Sequence, residues 1–149
     1  MKQKTNIVWL KRDLRTHDHA SFQAAEAANI PYIALFVFEP SMMQHPDTSM
    51  RHLQFQYHSI LAMNNRLSIA NKEIYVFYGE AKDVFHWLTE EFDIQHVFSY
   101  QESGVQISYD RDVELNSLFK KKEVDWQEFQ RDGIVRGSTH RKGWDKAWF

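Results

Sequence analysis

Short apolar runs rich in β-branched and aromatic residues alternate along this chain with longer segments of helical period, and no other feature restricts its fold as tightly. Five runs read as strands, at residues 6–10, 31–38, 73–78, 95–100 and 124–130. The first four are nearly continuous in apolar residues, as strands covered by helices on both faces should be; the fifth is more polar and suits an edge. Between them, Asp18 is a candidate cap for a helix carrying Phe22, Ala25 and Ala28, which Asn29 and Pro31 would end. Residues 49–70 place Met50, Leu53, Tyr57, Ile60, Leu61, Asn64 and Leu67 at spacings of three and four, all apolar but Asn64, which predicts a one-faced helix packed on a sheet. Residues 81–92 repeat the pattern, and residues 109–122 form a last helix ending in three lysines, favoured there by the helix dipole.

Right-handed crossovers between such units predict an α/β fold: a Rossmann-like, doubly wound five-stranded parallel sheet in the order 3-2-1-4-5, with helices on both faces. Its ligand crevice would lie beyond the C-terminal ends of strands 1 and 4, where the winding reverses. Trp9, Phe36, Phe38, Trp87 and Phe98 fall on these elements and are expected in the core, and aromatic side chains rimming the crevice could hold a flat conjugated ligand.

Chemistry is narrowed by what is missing. Without cysteine there is no disulfide, thiolate nucleophile or Cys-ligated metal in this chain. The first strand is followed by no glycine before Gly79, against a dinucleotide fingerprint, and no P-loop motif occurs. Instead the turn reads Lys11-Arg12-Asp13-Leu14-Arg15-Thr16-His17-Asp18, which is either a screened surface turn or an anion or interdomain site at the switch point. The eight histidines lack metal-ligand spacing, and capping accounts for Asp110 and Asp112 around Arg111. Eighteen Lys and Arg against twenty Asp and Glu give no basic field for nucleic acid, although residues 131–149 carry five cations against two aspartates. The apolar stretch at residues 7–10 is too short for a signal peptide and no window reaches a membrane span, so the cytoplasm is the expected location.

Ile7-Val8-Trp9-Leu10-Lys11-Arg12-Asp13-Leu14-Arg15-Thr16-His17-Asp18 resembles the opening of the DNA photolyase and cryptochrome family. Three further stretches agree in order: Ala34-Leu35-Phe36-Val37-Phe38-Glu39-Pro40 with the second strand and its acidic-Pro end, Met50-Arg51-His52-Leu53-Gln54-Phe55 with the Arg-bearing helix, and Arg111-Asp112-Val113 with the Arg-Asp of the last helix. The resemblance spans the whole chain but only the N-terminal α/β domain of a longer family member. It implies an antenna domain at residues 1–130 that carries or contacts a folate, deazaflavin or flavin. Residues 131–149 would then begin a linker to a C-terminal helical domain that holds FAD, binds damaged DNA and splits pyrimidine dimers with light. The parent would be a deoxyribodipyrimidine photo-lyase or a blue-light receptor, the present residues alone being non-catalytic.

On this reading Lys11, Arg12, Phe38, Glu39, Arg51, Gln101 and Glu102 surround the chromophore crevice, Arg51 approaching either Glu39 or the chromophore. Lys11, Arg12, Asp13 and Arg15 are expected to pair with acidic groups of this domain or the next. After strand 4 the chain has Tyr100-Gln101-Glu102-Ser103-Gly104 where the family commonly has Asn, an acid and Tyr, so the antenna is left open. Two other functions compete: an adenine-nucleotide-binding domain of the universal-stress type, for which Gly104 would belong to a phosphate loop, and a signalling module docking partners through residues 131–149.

Overall fold

The computed structural model describes residues 1–133 together with Lys142 and Gly143. The proposed linker segment therefore lies largely outside the described residues. Five strands, β1 (Lys4–Leu10), β2 (Tyr32–Phe38), β3 (Ile74–Tyr78), β4 (Asp93–Tyr100) and β5 (Asp125–Phe129), pair in parallel throughout, in the order β3-β2-β1-β4-β5. This is the expected doubly wound sheet, its winding reversing between β1 and β4.

Strand alternation divides the core into two layers. Trp9, Leu35 and Val97 face helices α4 (Ala81–Glu91) and α5 (Gln106–Lys121), where Phe85, Leu88, Leu115 and Phe119 complete one cluster. Val8, Leu10, Phe36 and Phe98 face α1 (Ala20–Ala27) and α3 (Met50–Leu67), which contribute Ala25, Ile60 and Met63. Trp9 anchors the first layer, with its ring 5.0 Å from Phe85 and 6.0 Å from Trp126. A four-residue helix, α2 (Pro40–Met43), follows β2 directly, with Glu39 as its N-cap residue.

Several local expectations are corrected. The cap of α1 is His19, whose imidazole accepts the Phe22 N–H, while Asp18 takes a left-handed backbone at φ +48° one residue earlier. Helix α5 begins at Gln106, so Asp112 lies one turn and a half inside it on the same buried stripe as Leu115 and Phe119 and is no capping residue. On α3 only Ile60 and Met63 are buried; Met50, Tyr57 and Leu61 are exposed, β3 being the edge strand with, among the described residues, no further strand beside it to cover them. Trp87 on α4 is also half exposed for this reason, touching Phe77 of β3 at 6.0 Å.

Candidate functional site

The C-terminal ends of β1, β2 and β4 deliver three charged pieces to one place: Lys11 and Arg12, Glu39, and Glu102. Helix α5 adds the residue that joins them. Arg111 donates from Nη1 to Glu39 Oε1 at 2.8 Å and from Nη2 to Glu102 Oε2 at 2.7 Å, and reaches Asp112 Oδ1 from Nη2 and Nε at 2.9 and 3.1 Å. Its guanidinium lies over the Trp9 ring, 4.9 Å from the centroid, and the side chain is 10% exposed. Arg12 donates from Nε to the other oxygen of Glu102 at 2.8 Å while remaining half exposed. Glu39 turns its second oxygen to the Ala81 N–H at 3.1 Å, tying the end of β2 to the start of α4.

Lys11 is buried. Its ammonium stands 3.9 Å from both Asp112 and Glu128, beyond hydrogen-bond reach, and lies over Trp9 and Trp126 at 4.3 and 5.4 Å. Burial pushes its pKa down, against the pull of Asp112. Burial likewise pushes the Glu39 carboxyl up despite Arg111. At Glu102 burial acts in the same upward sense, but Arg111, Lys11 and Arg12 together overcome it and hold the carboxyl below its ordinary value. Burial would strip the proton from Arg111, yet Glu39, Glu102 and Asp112 drive its pKa upward, so it stays a cation.

A second buried pair braces the turn that carries these groups. Asp13 accepts the Lys11 N–H at 3.0 Å and meets His19 Nε2 at 2.8 Å, both side chains being about 1% exposed. Arg15 bonds the Asp18 carbonyl and the Tyr100 hydroxyl and lies over the Tyr100 ring, so its partners are not carboxylates. Of the four turn residues expected to pair with acidic groups, Lys11 and Arg12 do so within this domain, whereas Asp13, itself an acid, pairs with His19.

Beside the ion cluster lies a cleft of about 110 Å³, whose opposite wall is apolar: Phe36, Phe38, Met42, Met43 and Leu53. Lys11, Arg12, Phe38, Glu39 and Glu102, five of the seven residues named from the sequence, line it. Arg51 is exposed on α3 and Gln101 is engaged through its N–H with the Phe129 carbonyl at 2.8 Å; neither lines the cleft. Glu39 is held by Arg111 in place of Arg51, because α3 turns position 51 outward. Arg111 and Asp112 were the residues that reasoning on spacing missed, although Asp112, Leu115 and Phe119 at intervals of three and four mark the inward face. Gly104 has a packing reason: a Cβ there would sit 2.6 Å from the Ser108 hydroxyl in the first turn of α5.

A switch-point cleft with one ionic and one apolar wall is common to many α/β proteins, and the relatives decide among them. The family model for DNA photolyase matches residues 6–147. This chain belongs to the DNA photolyase family. It is 24% identical over 139 residues to the deoxyribodipyrimidine photo-lyase of Buchnera aphidicola, covering 93% of this chain and 25% of that protein. It is 26% identical over 120 residues to cryptochrome DASH of Gloeobacter violaceus, covering 76% and 24%. Among solved structures, a Synechocystis cryptochrome superposes with a TM-score of 0.80 at 17% identity over 87% of this chain and 28% of its own. A Sulfolobus tokodaii photolyase, crystallised with two FAD molecules, superposes at 0.74 with 20% identity over 96% and 34%. The chain thus spans about a quarter of the length of the curated family members it matches. No helix among the described residues is long and apolar enough to cross a membrane.

Proposed function

We propose that this chain is the light-harvesting domain of a photolyase or cryptochrome, and that the cleft beyond β1, β2 and β4 takes a flat aromatic antenna chromophore of flavin type. The observation that carries the reading is the pairing of walls at the switch point: aromatic and thioether side chains on one side, and a guanidinium fixed by a carboxylate on the other. Phe36, Phe38 and Leu53 would cover a ring face. Arg12, held at Nε by Glu102, keeps its terminal N–H groups for a ring carbonyl or a phosphate. Arg111 neutralises Glu39 and Glu102, so that two buried carboxylates do not repel an electron-rich ligand. When bound, the chromophore supplies absorption of blue light and passage of the excitation to a second flavin.

The chemistry of the cleft fits such a group, while its volume is below the roughly 300 Å³ of ordinary ligand pockets, so a bound chromophore would extend beyond it. A C-terminal FAD domain in cis, damaged DNA as the partner of the whole polypeptide, and a cytoplasmic location follow from the family reading. The Sulfolobus relative with two FAD molecules supports a flavin over a folate.

The fluorescence excitation spectrum of the longest natural form of the polypeptide tests this. A chromophore band feeding flavin emission should vanish in Phe38→Asp while FAD is retained. A band that persists in that variant would move the antenna site elsewhere.

A further inference from the structure

The edge of the sheet at β3 carries an apolar surface that the cleft does not use. Ile74, Tyr75, Val76, Phe77 and Tyr78 form a strand without charge or proline, whereas the opposite edge, β5, carries Asp125 and Glu128. On the α3 side Val76 and Tyr78 are exposed, Tyr78 by 75%, and α3 runs alongside with Tyr57 and Leu61 exposed. On the other face Tyr75 and Trp87 are half exposed. The α3 flank beside the strand reads Met50, Gln54, Tyr57, Leu61 and Asn64 at spacings of four and three with no charge; Arg51 and His58 border it on the solvent side and Arg66 sits on the far side.

Among the described residues the backbone of this edge is also unpaired in a defined way. Asn64, the polar residue in the helix's apolar stripe, accepts the Ile74 N–H at 2.8 Å and donates to its carbonyl at 3.3 Å. Those groups therefore point away from β2, and by alternation the N–H and C=O of Val76 and Tyr78 point the same way. Gly79, one residue on, returns its N–H to the Phe38 carbonyl on the β2 side, as the alternation demands.

We propose that β3 pairs with β3 of a second copy of this chain, antiparallel about Phe77, joining two sheets into one of ten strands. In that register Val76 faces Tyr78 of the other copy and the reverse, both pairs having outward backbone groups, for about four hydrogen bonds, and Asn64 keeps its hold on Ile74. The two-fold is normal to the sheet, so α3 meets the other α3 flank to flank, the charge-free sides together, and Tyr75 and Trp87 meet their counterparts on the opposite face. A second copy is favoured because it brings both a strand for the edge and matching apolar flanks for both faces. At roughly 150–250 Å² per fully buried aromatic, the half-exposed residues named offer on the order of 500 Å² per copy. The total of about 1,000 Å² lies just under the standard range for stable complexes, so the dimer should be weak and reversible.

Sedimentation velocity of the purified chain from low to high micromolar concentration, together with hydrogen exchange of the Val76 and Tyr78 amides, tests this. The expected result is a reversible dimer, with both amides protected only at high concentration. Val76→Lys and Tyr78→Glu, both at exposed positions, should each leave a monomer with unchanged circular dichroism and melting temperature. A wild-type monomer at every concentration would overturn the proposal, whether the two amides exchange freely or are covered by other residues of the same polypeptide. So would a dimer that survives both substitutions.

Discussion

Arg111 holds the site together by satisfying three carboxylates at once, and the consequence of removing it follows from their burial. Arg111→Ala leaves Glu39 and Glu102 as buried charges short of a partner, and should lower stability by about 3–5 kcal/mol in urea unfolding. Glu39→Gln should cost less, since Arg111 keeps Glu102 and Asp112. The pH dependence has a definite sign. Glu102 has a folded pKa below its unfolded one, so the unfolded chain binds the extra proton between the two values and stability falls as pH drops through that window. Asp13 adds to the same loss: burial opposes ionisation there, but the bonds from His19 and Lys11 prevail. Glu39, whose carboxyl burial raises, works against them. Glu102→Gln and Asp13→Asn should each flatten the acid limb of stability against pH, read by urea midpoints at stepped pH; an unchanged slope in both would mean these pairs are exchanged for solvent.

At the level of elements, two local devices position the strand ends. His19 caps α1 through Nδ1 and grips Asp13 through Nε2, so His19→Ala loses a cap of about 1 kcal/mol and strands a buried carboxylate for a further 1–3 kcal/mol, measurable in the same unfolding assay. Gly104→Ala should cost on the order of 1 kcal/mol by turning the Ser108 hydroxyl off the Val105 carbonyl, and adding Ser108→Ala should cost little more. The strands were legible because period-two and continuous apolar runs have few other outcomes. Helix α3 was half legible: its stripe of Met50, Tyr57 and Leu61 is periodic, yet periodicity is silent on whether a sheet extends far enough to cover it. Helix α1's cap was missed by one residue, since Asp18 is the commoner capping type and only the fold reveals that His19 must also reach Asp13.

For the whole molecule, topology was readable from the order of elements, because right-handed crossovers leave few sheets to choose from. The lining of the cleft was readable where it sits on strand ends, at Lys11, Arg12, Phe38, Glu39 and Glu102, and unreadable where it depends on helix rotation, which brings Arg111 in and turns Arg51 out. The isolated chain should not reverse pyrimidine dimers in DNA under blue light with added flavin and reductant. Reversal needs a reduced flavin beside a base taken out of the stack, and turnover above a protein-free control would assign catalysis to this chain. The central claim is that the switch-point cleft receives the chromophore, and titrating the chain with FMN, followed by quenching of flavin fluorescence, tests it most directly. Saturable binding that weakens at least tenfold in Phe38→Ala and Arg12→Ala, and is unchanged in the outward-facing Arg51→Ala, is the predicted result. Binding indifferent to the two cleft substitutions, or weakened only by Arg51→Ala, would contradict it.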